Sequence, residues 1–237
     1  MLAKKDFLPI VGTNFEVYHM IAAIKNIFDG IWSSLFRRNN KLTIGLYGPP
    51  NSGKTTLANR ICKDLLGDDK EFGEVSSLAH ETRKINIKQE LSVKVNGKLL
   101  RFDLVDTPGI ATRIDYENFT KSGMSEKEAK QRAKEATKGV IESIKWLDNV
   151  DVVIIVLDST KNPYSQVNLT IIGNLEARKI SMIIVANKID LKSSKLAKIT
   201  EAFPKYKVIG ISAKFAKNTG QLYEEMSKVS RKKRKSR

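Results

Sequence analysis

Cysteine and long apolar stretches are both scarce in this chain. The 237 residues include one cysteine, Cys62, which excludes an intrachain disulfide framework and fits a reducing compartment. No stretch approaches the roughly 20 consecutive apolar residues that a transmembrane helix needs. Polar residues also interrupt each apolar run near the N-terminus before the apolar region of a signal peptide could form. We therefore expect a cytoplasmic protein.

Acidic residues are scarce relative to basic ones. The chain has 42 Lys and Arg against 26 Asp and Glu, a formal charge of +16. Such an excess favours binding to nucleic acid, ribosomes or anionic lipid without distinguishing among them. Part of it is local, since residues 231–237 hold six positive charges and no acid.

Apolar runs alternate with helical patterns along most of the chain. Strands are predicted at 42–47, 85–95, 99–105, 152–157, 180–185 and 207–211, and helices at 58–66, 125–147 and 220–229. Asn96-Gly97 forms the turn of an antiparallel hairpin, and Ser125 with Glu128 forms a capping box. The nearly all-apolar runs are typical of parallel strands covered on both faces. We predict an α/β fold with a mostly parallel, doubly wound sheet and one antiparallel hairpin.

A glycine-rich segment follows the first strand: Gly48-Pro49-Pro50-Asn51-Ser52-Gly53-Lys54-Thr55. It matches the phosphate-loop pattern G-x-x-x-x-G-K-[ST] and lies between a strand and a helix, as that pattern requires. Backbone amides of such a loop surround phosphate oxygens, and the helix N-terminus adds positive potential. We expect Lys54 to reach the β- and γ-phosphates and the Thr55 hydroxyl to ligate Mg²⁺, and we include the adjacent Thr56 in this site.

Three further segments follow predicted strands. Asp106 of Asp106-Thr107-Pro108-Gly109 can hold Mg²⁺ through water, and the Gly109 amide can sense a γ-phosphate, although this pattern alone is often a simple turn. Asn187-Lys188-Ile189-Asp190 indicates guanine, since a carboxylate accepts from the N1–H and the exocyclic amine that adenine lacks. Ser212-Ala213-Lys214 is placed to bring a backbone amide to guanine O6.

Taken in order, these segments resemble the nucleotide-binding motifs of translation-factor-class GTPases, and within them the Era/TrmE group. The resemblance covers about 41–229 and implies a Ras-like fold that binds GTP or GDP with Mg²⁺ and hydrolyses GTP slowly as a molecular switch. Thr82, in His80-Glu81-Thr82-Arg83, is similar to the group's loop threonine that closes over Mg²⁺, with a solvated loop threonine as the alternative. The resemblance implies catalytic roles for Lys54, Thr82 and Gly109, and magnesium contacts for Thr55, Thr82 and Asp106.

Two positions concern how hydrolysis is activated. Ile110 stands where Ras-type proteins place a water-orienting glutamine. In lacking that glutamine, the chain resembles the Era/TrmE group. Asn51 stands where potassium-stimulated members of that group carry an asparagine, so a K⁺ ion there is expected to supply charge to the transition state. The alternative is that Asn51 only braces the loop. An activating protein or a homodimer remains open as a source of the missing group.

The expected organisation is an N-terminal amphipathic helical extension at 1–40, a GTPase domain at 41–229 and a basic tail at 230–237. No segment like the RNA-binding KH domain of Era is expected after Val229. A lysine stripe on the helix at 125–147, comprising Lys127, Lys130, Lys134, Lys138 and Lys145, is either an RNA contact or a solvated face with ion pairs. RNA- or ribosome-associated assembly is the favoured role. The alternative is a membrane- or protein-partnered switch acting through the N-terminal helix.

Overall fold

The computed structural model describes residues 41–67, 85–110, 120 and 123–235, with the backbone alone at 231–235. The predicted extension at 1–40 and the end of the basic tail lie outside these residues. Among the residues described, no helix is both long enough and apolar enough to cross a membrane.

Six strands form one sheet in the order β2-β3-β1-β4-β5-β6. All neighbours pair in parallel except β2 and β3, which form the antiparallel hairpin. The α/β prediction is therefore confirmed. The strands are β1 (Leu42–Tyr47), β2 (Asn86–Val95), β3 (Lys98–Asp106), β4 (Val152–Asp158), β5 (Ser181–Asn187) and β6 (Val208–Gly210).

Five helices and a short 3₁₀ turn at Leu147–Asn149 connect the described strands. The helices are α1 (Lys54–Leu66), α2 (Glu126–Trp146), α3 (Gln166–Ala177), α4 (Leu196–Ala202) and α5 (Thr219–Lys235). The predicted capping box is present at the start of α2, where the Ser125 hydroxyl accepts from the Glu128 amide and the Glu128 carboxylate accepts from the Ser125 amide.

The core has two layers, one on each face of the sheet. Alternate residues of β4 point to opposite faces: Val152, Ile154 and Val156 join α1 and α5, whereas Val153, Ile155 and Leu157 join α3 and α4. Because helices cover both faces of β4, neither face favours polar side chains. This explains why the sequence of β4 is a continuous apolar run.

Several boundaries differ from the prediction. α1 begins at Lys54 rather than at residue 58, because the phosphate loop passes directly into helix at Gly53. α5 continues to Lys235 rather than ending at residue 229. Residues 230–235 contain no proline or glycine, and Lys and Arg are good helix formers, so a basic segment predicted as a tail extends the helix.

The α2 faces match the expected division. Lys127, Lys130, Lys134, Lys138 and Lys145 are all exposed. Lys130 pairs with Glu126, and Lys138 lies 4.0 Å from Glu142. The buried side is not purely apolar, since Arg132, Gly139 and Ser143 are buried there with Ala129 and Ala136.

Candidate nucleotide site

Five loops meet at one edge of the sheet. They follow the carboxyl ends of β1, β3, β4, β5 and β6, which share an edge because these strands are parallel. In open α/β sheets ligands bind in the crevice outside the carboxyl ends of the strands. The phosphate-loop, D-T-P-G, N-K-I-D and S-A-K segments all lie at this edge.

The phosphate loop closes tightly around the start of α1. Gly53 has φ 95°, and a Cβ atom there would lie 2.2 Å from the Asn187 side-chain nitrogen, so no other residue fits. Lys54 is 6% exposed, and its Nζ donates to the carbonyls of Gly48 at 3.3 Å and Pro49 at 3.0 Å. Burial lowers the pKa of Lys54 to about 8, opposed by the Asp106 charge. An anion entering the loop would favour the charged ammonium.

The predicted magnesium contacts Thr55 and Asp106 are brought together. The Thr55 hydroxyl donates to Asp106 Oδ2 at 2.7 Å. Oδ1 of Asp106 is buried and has no hydrogen-bond partner among the described residues. Burial raises the pKa of Asp106, while Thr55 and Lys54 act in the other direction. A hydroxyl beside one carboxylate suits Mg²⁺, which takes few protein ligands and relies on phosphates and water.

No larger cluster of metal-binding side chains competes with this pair: the described part of the chain holds no group of three or more His, Cys, Asp or Glu that could bind a metal. Thr82, the third predicted magnesium contact, lies outside the described residues.

The D-T-P-G segment rests directly on the phosphate loop. A Cβ atom on Gly109 would lie 2.8 Å from the Pro50 Cα, so glycine is required by close approach. The Ile110 amide donates to the Gly48 carbonyl at 3.1 Å, and the Ile110 side chain is only 6% exposed. A buried aliphatic side chain cannot orient water, which agrees with the expectation that the usual glutamine function is missing in this chain.

Asn187 joins two of the loops through both ends of its side-chain amide. Its Nδ2 donates to the Ser52 carbonyl at 3.0 Å, and its Oδ1 accepts from the Ala213 amide at 3.0 Å. All three residues are buried. The predicted guanine motif is thus bound to the phosphate loop on one side and to the S-A-K turn on the other.

Lys188 makes a second link between the guanine motif and the phosphate loop. Its Nζ donates to the Asn51 carbonyl and to Asp158 Oδ2, each at 2.7 Å. Asp158 also accepts from the Thr160 amide and hydroxyl through Oδ1. Burial disfavours the charged carboxylate, but the hydrogen bonds from Lys188 and Thr160 outweigh it and lower the pKa of Asp158.

The groups predicted to meet the base differ in exposure. Asp190 and Lys214 are exposed, whereas Ser212 and Ala213 are buried. The Ser212 hydroxyl accepts from the Phe215 amide at 3.3 Å, which closes the turn. The Asp190 carboxylate is thus exposed at the opening of the site, whereas the turn at Ser212 and Ala213 is buried.

Of the remaining predicted residues, Ser52 is buried and its hydroxyl has no hydrogen-bond partner among the described residues. Thr56 is half-buried in the first turn of α1. Asn51 is exposed and has φ 58°.

Two supporting groups were missed by reading motifs. Asp158 positions Lys188, and its place as the last residue of β4 at the ligand-binding edge was the available signal. Arg60 on α1 donates to the Ala213 carbonyl at 3.3 Å and pairs with Asp64, which accepts from the Tyr223 hydroxyl at 2.8 Å. No local pattern marks that set, because Arg60 and Ala213 are 153 positions apart.

Comparison with known proteins agrees with this geometry. Residues 43–188 match the family model described as "50S ribosome-binding GTPase". The chain is 30% identical over 187 residues to the tRNA modification GTPase MnmE of Helicobacter pylori strain HPAG1, covering 78% of this chain and 33% of that protein. It is 30% identical over 196 residues to GTPase Era of Rickettsia conorii, covering 79% of this chain and 48% of that protein. The chain thus spans a third to a half of the length of these relatives.

Among solved structures, the fold is similar to that of Era in complex with MgGDPNP and nucleotides 1506–1542 of 16S ribosomal RNA. The TM-score is 0.60 at 21% identity, over 80% of this chain and 56% of that one. At this identity the likeness concerns the fold alone, which is that of a Ras-like GTPase domain.

We predict that Asn187→Ala destabilises the nucleotide-free protein. The substitution leaves the Ser52 carbonyl and the Ala213 amide buried without their partner, at about 1–3 kcal/mol for each group. Urea denaturation, monitored by circular dichroism, measures the decrease in the free energy of unfolding. Asn174→Ala is the matched control, because the exposed Asn174 donates only to the Thr170 carbonyl in its own helix; its cost should stay below about 0.5 kcal/mol. Equal losses in the two variants would contradict the proposed link.

Proposed function

The chain belongs to the 50S ribosome-binding GTPase family, and from that premise we propose that it binds GTP or GDP and hydrolyses GTP to GDP as a molecular switch. The observation that carries the proposal is the double link from the N-K-I-D segment to the phosphate loop, through Asn187 to Ser52 and through Lys188 to Asn51. One nucleotide can therefore contact a phosphate site and a base site held at a fixed separation.

Each predicted residue has a role in this proposal. Lys54 and the loop amides of residues 48–55 hold the phosphates, and Thr55 and Asp106, with Thr82 from outside the described residues, hold Mg²⁺. When bound, Mg²⁺ would neutralise charge on the phosphate oxygens. Gly109 senses the γ-phosphate, Asp190 accepts from guanine, and the Ser212-Ala213-Lys214 turn meets its O6. Phosphoryl transfer needs little beyond positioning and such charge stabilisation.

Guanine selectivity tests the proposal most directly. We expect Asp190→Ala to weaken GDP binding about 5- to 150-fold, because the guanine N–H donors are left without their acceptor. The weak binding of ADP should be unchanged. Titration of fluorescent GDP and ADP analogues measures both affinities. Glu224→Ala, which removes an exposed carboxylate on α5, is the control for charge. Equal affinity of the unaltered chain for GDP and ADP would refute the guanine assignment.

The source of the catalytic group is a second question. We propose that Asn51 holds a K⁺ ion that would supply charge to the transition state, because the buried Ile110 cannot orient water and Asn51 is an exposed residue of the phosphate loop. An activating protein or a second copy of the chain is the competing source.

Phosphate release at matched ionic strength in KCl and NaCl decides between these sources. We expect about tenfold faster turnover in KCl, equivalent to about 1.4 kcal/mol, and loss of the difference in Asn51→Ala. Equal slow rates in both salts would rule out K⁺ and leave a partner as the source. Affinity for GDP in each salt is the control, since binding should not change with the cation.

We further propose an RNA or ribosomal partner in the cytoplasm. The support is the +16 charge, the exposed lysines of α2 and the likeness to Era, which has been solved in complex with 16S ribosomal RNA. Co-sedimentation with ribosomal particles should depend on GTP and fall steeply between about 50 mM and 200 mM salt, as expected when basic side chains release phosphate counterions. No co-sedimentation at the lower salt would refute the partner while leaving the GTPase proposal intact.

A further inference from the structure

An open cavity of about 430 Å³ lies next to the nucleotide site. It is formed between the loop that follows β4 and helix α4. Its main lining residues are Thr160, Lys161, Tyr164, Lys195, Lys198 and Glu201. None of them belongs to the four nucleotide-binding segments.

The cavity is strongly basic. Lys161, Lys195 and Lys198 are exposed, and Glu201 is the one acid in the lining. Among the described residues none of these three ammonium groups forms an ion pair with a carboxylate, in contrast to Lys130 and Lys138 on α2, which lie beside Glu126 and Glu142. Three ammonium groups against one carboxylate around one concavity favour a ligand with several negative charges.

An aromatic ring lies among these charges. Tyr164 is 58% exposed, whereas large aromatic side chains are usually buried in the core or at an interface. Its backbone amide donates to Asn162 Oδ1 at 3.0 Å, and its ring centroid lies 6.5 Å from that of the buried Phe203. The exposed part of the ring offers a surface on which a planar group can stack.

The cavity wall is held in place by backbone hydrogen bonds to neighbouring elements. The Lys195 amide donates to the Ser159 carbonyl at 2.8 Å, and the Lys161 amide donates to the Asp158 carbonyl at 3.1 Å. The wall is therefore continuous with the residue that positions Lys188. A surface ordered in advance loses less entropy when a flexible ligand binds.

We propose that this surface, defined by Lys161, Tyr164, Lys195 and Lys198, binds a single-stranded segment of RNA, with phosphates on the lysines and a base stacked on Tyr164. Binding of single strands combines a basic groove that follows the backbone with aromatic rings that stack bases. The carboxylates of an acidic peptide would pair with the lysines but would not stack on the Tyr164 ring. The inference deepens the proposed function, since it names where the RNA partner would bind.

The test is fluorescence anisotropy with the full chain and a labelled single-stranded oligoribonucleotide of about 12 nucleotides, within the usual site sizes. We expect Tyr164→Ala to weaken binding about 5- to 150-fold, the value of one stacked base, and Tyr164→Phe to retain it. The Lys195→Ala, Lys198→Ala double variant should reduce the slope of log K against log salt by about 1 to 1.5, near 0.7 for each lost phosphate contact on a single strand.

Two controls separate this surface from general charge. Lys94→Ala with Lys98→Ala removes two exposed lysines from the β2–β3 hairpin at the opposite edge of the sheet. Lys127→Ala with Lys134→Ala removes two from α2, which is the competing basic surface for an RNA partner. Neither variant should change the affinity as much as the Lys195 and Lys198 pair. GDP affinity should be unchanged in all variants, which shows that each is folded.

Four results would overturn the proposal. Full RNA affinity in Tyr164→Ala, or a loss confined to the α2 control, would reject this surface while leaving an RNA partner in place. Binding of poly-glutamate that depends on Lys195 and Lys198 but not on Tyr164 would assign the surface to an acidic protein. No RNA binding by the unaltered chain would reject both this surface and the RNA partner, but not GTP hydrolysis.

Discussion

The nucleotide site depends on one buried amide side chain at the end of β5. Asn187 is in contact with both the phosphate loop and the S-A-K turn, and it occupies the space that a side chain on Gly53 would need. Its donor and its acceptor are used at once, so a carboxylate or an aliphatic group of the same size cannot replace it. The separation between the proposed phosphate and base subsites is thereby set by hydrogen bonds that join the loops after β1 and β6 to the end of β5.

The central strands of the sheet were predictable because they are buried on both faces. β4 and β5 show as short apolar runs, and the capping box of Ser125 and Glu128 marks the start of α2 before any tertiary contact is known. What could not be predicted is where long-range contacts override local preference. In β2 the pairing shifts between Lys88 and Leu91, and Glu90 adopts φ 61° with its amide donating to Asp103 at 2.8 Å. No glycine or turn motif marks that bulge.

The candidate site divides in the same way. Residues whose chemistry needs fixed spacing, such as Lys54 after Gly53 or Asp190 after Asn187, form contiguous motifs, so the sequence alone is enough to propose them. The residues that hold these motifs in place act singly and from elsewhere in the chain. Asp158 lies 30 positions from Lys188, so its role follows only from the pairing of β4 with β5, which brings the two residues to the same edge.

Contacts of the D-T-P-G segment connect the phosphate loop to α2. Ile110 and Gly109 rest on the phosphate loop. On α2, the Ser143 hydroxyl donates to the Gly139 carbonyl of its own helix at 2.8 Å and lies 3.4 Å from the Pro108 carbonyl, while the Ser143 carbonyl accepts from the Tyr47 hydroxyl at 2.9 Å. Tyr47 is the last residue before the phosphate loop and is fully buried. Because this region is closely packed, a displacement of Pro108 would be transmitted to α2 through these contacts. Since the outer face of α2 is lined with lysines, such a displacement would move a pattern of charges and not an apolar patch, which suits a polyanionic partner better than an apolar one.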